Sequence, residues 1–166
     1  MFIGKIVKQH KPAYCLVLVA ILATKIGTII VIESVKIMTN LVFVYGSLKS
    51  GFGNHRCLSG AIPMEEDARL HDATMLDLGA FPAVIPGANT VYGELYEVTP
   101  EILERLDRLE GHPTFYQRHK VTILCYKWTG EEYSASAWCY FLSKDSQAHY
   151  EVICEPVASG HWEQSR

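Results

Sequence analysis

The chain has 166 residues, enough for one ordinary domain and too few for two comfortable ones. Its 49% hydrophobic and 20% charged content excludes a wholly disordered chain. Residues 1–37 carry five Lys against Glu33, a +4 segment, while the remainder holds ten basic and seventeen acidic side chains, a −7 body that repels a phosphate backbone and so excludes nucleic acid as an expected partner.

Along the first segment, residues 13–32 (AYCLVLVAILATKIGTIIVI) are apolar except for Lys25 and two Thr. About 20 residues suffice for one membrane span, but a Lys near its middle costs about 3 kcal/mol and makes the span marginal. No small-x-small site follows an apolar stretch of signal-peptide length. Two readings stand side by side: a membrane anchor, or an extension upstream of a start at Met38. The second is favoured, with residues 38–166 as the domain. The five cysteines (Cys15, Cys57, Cys125, Cys139, Cys154) are odd in number and show no CxxC spacing, so neither a disulfide nor a zinc framework is indicated. They fit small core hydrophobes in a reducing, cytoplasmic setting; the alternative is a membrane-anchored body.

Leu41–Tyr45 (LVFVY) is an unbroken run of aliphatic and aromatic residues and predicts a fully buried strand, ended by Gly46. Residues 50–54 (SGFGN) predict a loop, residues 69–78 a strand, and the stretch bounded by Gly79, Pro82, Pro86 and Gly87 a loop. Val91–Val98 predicts another strand. Pro100–Glu110 is the clearest helix: Thr99 suits the N-cap, Pro100 the first helical position, and Glu101 the positive end of the dipole. Glu101 with Arg105 and Glu104 with Arg108 are spaced for i,i+4 pairs. Gly111 and Pro113 stop the helix. Tyr116–Tyr126 and Tyr133–Leu142 predict strands around a turn at Thr129-Gly130, and the tail from His149 reads as irregular apart from a short strand at Glu151–Cys154. Strands and helices do not alternate, so a doubly wound sheet is excluded and an α+β or compact mixed barrel arrangement is expected.

Two positions carry chemistry. A buried strand that breaks at Tyr45-Gly46-Ser47-Leu48 leaves successive backbone N–H groups without ladder partners, which suits a carboxylate or oxyanion; an ordinary strand-to-loop turn fits the same four residues. The spacing Gly46-SLKS-Gly51 is that of a phosphate loop, but Phe52 and Gly53 stand where Lys and Ser or Thr are required, so nucleotide binding is rejected. Glu110 shares a helix face with Leu103 and Leu106 and sits at the negative end of the dipole. Both surroundings favour the protonated form and raise the pKa toward the range of a general acid/base; a frayed last turn that lets Glu110 reach water is the other reading. Tyr116 and Arg118 follow closely enough to line the same cavity. His112, His119 and His161 lack metal-ligand spacing and read as loop or surface residues, and Trp162 reads as a core plug.

Together, VFVYGSLKSGFGNH (Val42–His55), VYGELYEV (Val91–Val98), LDRLEGHPTFYQR (Leu106–Arg118) and SGHW (Ser159–Trp162) resemble the γ-glutamylcyclotransferase-like family, in its AIG2-like and γ-glutamylamine cyclotransferase branch. The resemblance covers residues 41–162 in order; residues 1–37 have no counterpart in it. It implies a small mixed β-barrel flanked by a few helices, with one cavity. It implies Glu110 as the catalytic residue and Tyr45, Gly46, Ser47 and Leu48 as substrate-binding residues, with Tyr116 beside them. The activity it implies is release of 5-oxoproline and a free amine from a small-molecule γ-glutamyl amide, with no metal, nucleotide or organic cofactor. His161 departs from the more usual Asp of SGDW. A non-catalytic binding module on the same fold and a membrane-tethered interaction protein are the competing readings, and the leaving amine stays open.

Overall fold

A computed structural model describes residues 39–163 together with two short strands, β1 (Val17–Leu18) and β2 (Val35–Lys36), which pair antiparallel. The rest of the 13–32 stretch lies outside the described residues, and so does Met38. No helix among the described residues is long and apolar enough to cross a membrane.

Five strands form a closed barrel: β3 (Asn40–Val44), β4 (Ile62–Asp77), β5 (Pro82–Val98), β6 (Tyr116–Tyr126) and β7 (Glu132–Leu142), in the order β3-β5-β4-β6-β7. All neighbours are antiparallel except the closing pair, where β3 meets β7 in parallel through Val42 and Trp138. The expected mixed barrel with helices against it is therefore the observed fold. Among the described residues its two α-helices are α1 (Pro100–Glu110) and α2 (Lys144–Ile153).

The barrel has two apolar clusters, and β3 belongs to both. Phe43 and Tyr45 point into the interior with Leu70, Leu95, Ile123 and Cys139. Val42 and Val44 point outward and pack under α1 with Leu103 and Leu106. Burial on both faces replaces alternation by a continuous apolar run, which is why LVFVY reads as it does.

Helix α1 begins and ends where local chemistry directs. Thr99 Oγ1 accepts from the Ile102 N–H at 3.4 Å, and Gly111 takes the left-handed conformation with φ 62°, its N–H returning to the Asp107 carbonyl. Ile102, Leu103 and Leu106 form the buried stripe. Of the pairs expected on its outer face, neither is among the ion pairs of the described residues; Arg105 instead donates to the carbonyls of Cys57 and Ser59, both at 2.8 Å, and staples α1 to the turn at His55–Leu58.

Three expectations are corrected. β4 starts at Ile62, not at residue 69, and runs to Asp77. The stretch 82–90, read as loop from its Pro and Gly, is the first half of β5, paired with β4 from Asp77↔Pro82 to Ala73↔Pro86. The tail is not a strand at Glu151–Cys154: residues 144–153 are helix α2, capped by Ser143, whose Oγ accepts from the Ser146 N–H at 3.3 Å. The tail's link to the sheet is the bridge Leu76↔Pro156. Beyond it, the Tyr92 N–H donates to the Gly160 carbonyl at 3.0 Å and Trp162 is buried as a plug of the interior cluster, as its position suggested.

Candidate active site

At one end of the barrel three pieces of chain converge: the bend after β3, the last turn of α1, and the hairpin turn into β5. They enclose a cavity of about 320 Å³. Tyr45, Gly46, Ser47, Leu48, Glu110 and Tyr116, the residues singled out from the sequence, all line it.

In the bend, acceptors are used and donors are not. The Gly46 carbonyl accepts from the Lys49 N–H at 3.0 Å, the Ser47 carbonyl from the Asn54 N–H at 3.1 Å, and the Leu48 carbonyl contacts His55 Nδ1 at 3.0 Å. Among the described residues nothing accepts from the N–H groups of Gly46, Ser47 or Leu48. A bend of this kind presents fixed partial positive charge without a formal cation. Asn54 locks it a second time by donating from Nδ2 to Ser47 Oγ at 3.0 Å. Gly46 is required by packing: a Cβ there would lie 2.6 Å from Pro82 Cγ and 2.9 Å from Cδ. The bend and the β5 hairpin can therefore close on each other only through a glycine.

Glu110 faces this bend from α1. The residue keeps partial exposure, as expected of a group opening into a cavity, yet protein surrounds its carboxyl, and burial pushes its pKa up to about 7. No hydrogen bond from a described residue holds the carboxylate, so desolvation acts unopposed. Helix α1 continues through Glu110 to its cap at Gly111, so the last turn is not frayed. Burial above all raises the pKa of Tyr45, Cys139, Tyr116 and Tyr140; the charge of Glu110 comes next at Cys139 and Tyr116, and adds less at Tyr45 and at Tyr140, where the hydrogen bond to Asp107 comes second.

The tyrosines are fixed by donating to acceptors in the scaffold: Tyr45 to the Tyr140 carbonyl at 2.8 Å and Tyr116 to the Pro82 carbonyl at 2.9 Å. Arg118 does not line the cavity. Its guanidinium donates to Asp107 Oδ2 at 2.8 Å. His112 accepts the Arg118 N–H at 3.4 Å, and His161 stacks on Tyr92 with ring centroids 4.0 Å apart. Among the described residues no cluster of His, Cys, Asp or Glu is placed to hold a metal ion.

Sequence reasoning missed Asn54, Phe81, Pro82, Leu109, Phe115 and Tyr140, which also line the cavity. Asn54 closes the glycine-punctuated loop quoted above, and an Asn there is a signal for a side chain that ties a turn. Phe81 and Tyr140 carried no local signal, because strand pairing alone brings them in.

The arrangement joins unpartnered bend amides to one buried acid in a cavity whose other lining side chains are uncharged. It can hold a carboxylate at one end and move a proton at the other. A profile of the gamma-glutamyl cyclotransferase, AIG2-like, family matches residues 42–164. A Vibrio cholerae protein provisionally named as a gamma-glutamylcyclotransferase is 32% identical over 125 residues, covering 75% of this chain and 96% of that protein. The gamma-glutamylaminecyclotransferase of Rattus norvegicus is 30% identical over 102 residues, 54% of this chain and 66% of that protein. In fold, the chain is similar to an AIG2-like protein from Mus musculus, with a TM-score of 0.64 at 22% identity, covering 75% of this chain and 88% of that one.

Proposed function

Because the chain belongs to the gamma-glutamyl cyclotransferase, AIG2-like, family, we propose that it releases 5-oxoproline and a free amine from a γ-glutamyl amide, with Glu110 as general acid/base. The observation that carries this reading is the pairing, across one cavity, of unpartnered bend amides with a carboxyl whose pKa burial raises to about 7. A carboxyl poised there is part ionised at neutral pH and can both accept and return a proton.

In this reading the N–H groups of Gly46, Ser47 and Leu48 hold the substrate's α-carboxylate, and Tyr45 and Tyr116 wall the folded-back γ-glutamyl chain. Glu110 takes a proton from the α-ammonium. The freed amine attacks the γ-carbonyl carbon, forming the lactam C–N bond. The tetrahedral intermediate then collapses with cleavage of the original amide C–N bond. The departing nitrogen receives the proton held by Glu110 and a second one from the attacking nitrogen, so it leaves as an ammonium. No water is consumed. Nucleophile and electrophile share one molecule, so holding the reactive rotamer supplies about 7–11 kcal/mol of the barrier.

The test is 5-oxoproline release from a panel of γ-glutamyl amides by the parent and by Glu110→Gln. Turnover by the parent and none by the variant is expected; equal rates would remove Glu110 from the mechanism.

A further inference from the structure

The loop that follows β3 is closed on itself. Within residues 46–55 the Gly46 carbonyl accepts from the Lys49 N–H, the Lys49 carbonyl from the Phe52 N–H, the Ser47 carbonyl from the Asn54 N–H, and the Phe52 carbonyl from the His55 N–H. Among the described residues two hydrogen bonds leave this loop for distant chain. The Ser50 N–H donates to Glu94 Oε2 on β5 at 2.9 Å, and Lys49 Nζ donates to the Trp162 carbonyl in the tail at 3.2 Å. The Lys49 ammonium also lies 5.3 Å from the centre of the Phe52 ring, and Phe52 packs against the interior cluster. The tail end of the Lys49 bond is fixed. Gly160 takes φ 67°, and a Cβ there would lie 2.0 Å from the Thr90 carbonyl oxygen, so the tail meets β5 only through a glycine. His161 lays its ring on Tyr92, and Trp162 is buried in the cluster that also holds Tyr45.

We propose that Lys49 is a positioning residue for the three bend amides, and that the tail Gly160–Trp162 is the fixed post to which it moors them. The inference rests on the cyclotransferase reading, in which those amides hold the α-carboxylate. Because the loop is closed on itself, a shift at Lys49 carries Gly46, Ser47 and Leu48 with it. A binding constellation works only when it is held to within about 0.5 Å. Glu94 moors the loop from β5, and Lys49 supplies the second mooring from the opposite end of the chain. Lys49 itself does not line the cavity, so its hold on the substrate passes through the loop.

The experiment is a double-variant cycle on KM, read with the γ-glutamyl amide that the parent turns over best. Lys49→Met keeps the stem over Phe52 and removes the donor. It is expected to raise KM about tenfold and to leave kcat within about twofold, and Lys49→Arg restores most of the KM. His161→Ala, which removes the tail's stack on Tyr92, is expected to raise KM about threefold where Lys49 is present and not in the Lys49→Met chain. Unchanged KM in Lys49→Met, or equal effects of His161→Ala in both chains, overturns the mooring. KM does not depend on the fraction folded, so a loss of stability alone moves neither readout. If the parent releases no 5-oxoproline from any γ-glutamyl amide, the cyclotransferase reading itself fails, and the mooring is then read from the backbone amide resonances of Gly46, Ser47 and Leu48. Their displacement by His161→Ala only where Lys49 is present upholds it; no displacement, or the same displacement in the Lys49→Met chain, overturns it.

Discussion

The Tyr140 hydroxyl donates to Asp107 Oδ1 at 2.7 Å, while Arg118 donates to Oδ2 of the same carboxylate at 2.8 Å. Asp107 lies one helical turn before Glu110, so this bond fastens the end of α1 to β7, and the Arg118 contact fastens it to β6. Tyr140 also offers its carbonyl to the Tyr45 hydroxyl. One carboxylate thereby ties the turn of α1 that leads to Glu110 to both β6 and β7. Asp107→Ala removes both contacts and leaves a partly buried guanidinium unpaired. A loss of about 2 kcal/mol in urea unfolding is expected, with a fall in kcat larger than any change in KM. Asp107→Glu is expected to recover part of both. A variant as stable and as active as the parent would show that this clamp positions nothing.

The pH dependence of catalysis follows from burial of Glu110. The proposed mechanism needs Glu110 ionised to act as base, and burial raises its pKa from 4.5 to about 7. The kcat/KM profile is expected to rise with pH through a midpoint near 7. A midpoint at the ordinary carboxylate value would mean that the desolvated environment is not felt during turnover.

The same shift has a stability consequence of opposite sense to that of a salt-bridged acid. The folded-state pKa lies above the unfolded one, so the folded chain binds the proton more tightly. Stability is greatest below about pH 4.5 as far as this group is concerned, and declines as pH rises toward 7. Glu110→Gln removes the penalty. At pH 8 the variant is expected to be the more stable by on the order of 2 kcal/mol, and near pH 4 the two curves converge. Thermal unfolding at the two pH values measures this; a variant less stable at pH 8 would contradict it.

Gly46→Ala tests the bend. The added methyl meets the Pro82 ring at 2.6 Å, so the bend or the hairpin must move. Overpacking of this kind costs about 1–3 kcal/mol, and displacement of the three amides is expected to raise KM more than it lowers kcat. Unchanged KM in a folded Gly46→Ala chain would detach the bend from substrate binding.

Local chemistry was enough for much of this molecule. Helix α1 is bounded by Thr99 and Gly111 because caps act within a few residues. The β6 and β7 strands and the doubly buried β3 show in the order of their side chains, since a strand's surroundings set its pattern. Glu110 stood out because a carboxylate on an apolar helix stripe at the negative dipole end contradicts its setting. The family's motif blocks likewise carried the barrel and the position of the bend.

The remainder needed the closed barrel. The Pro- and Gly-rich half of β5 becomes a strand only because β4 lies beside it, and ladder partners distant in the chain leave no local trace. Helix α2 buries no residue, so it lacks the apolar stripe by which a helix is read, and its last turn resembles a strand. The lining residues Phe81, Leu109 and Phe115 come from a hairpin, a helix end and a strand entry that spacing does not relate. What the order of residues determined was which groups have unusual chemistry; what the fold alone decided was their meeting, because closing a barrel brings distant segments to one rim and excludes the water that would otherwise have kept Glu110 an ordinary acid.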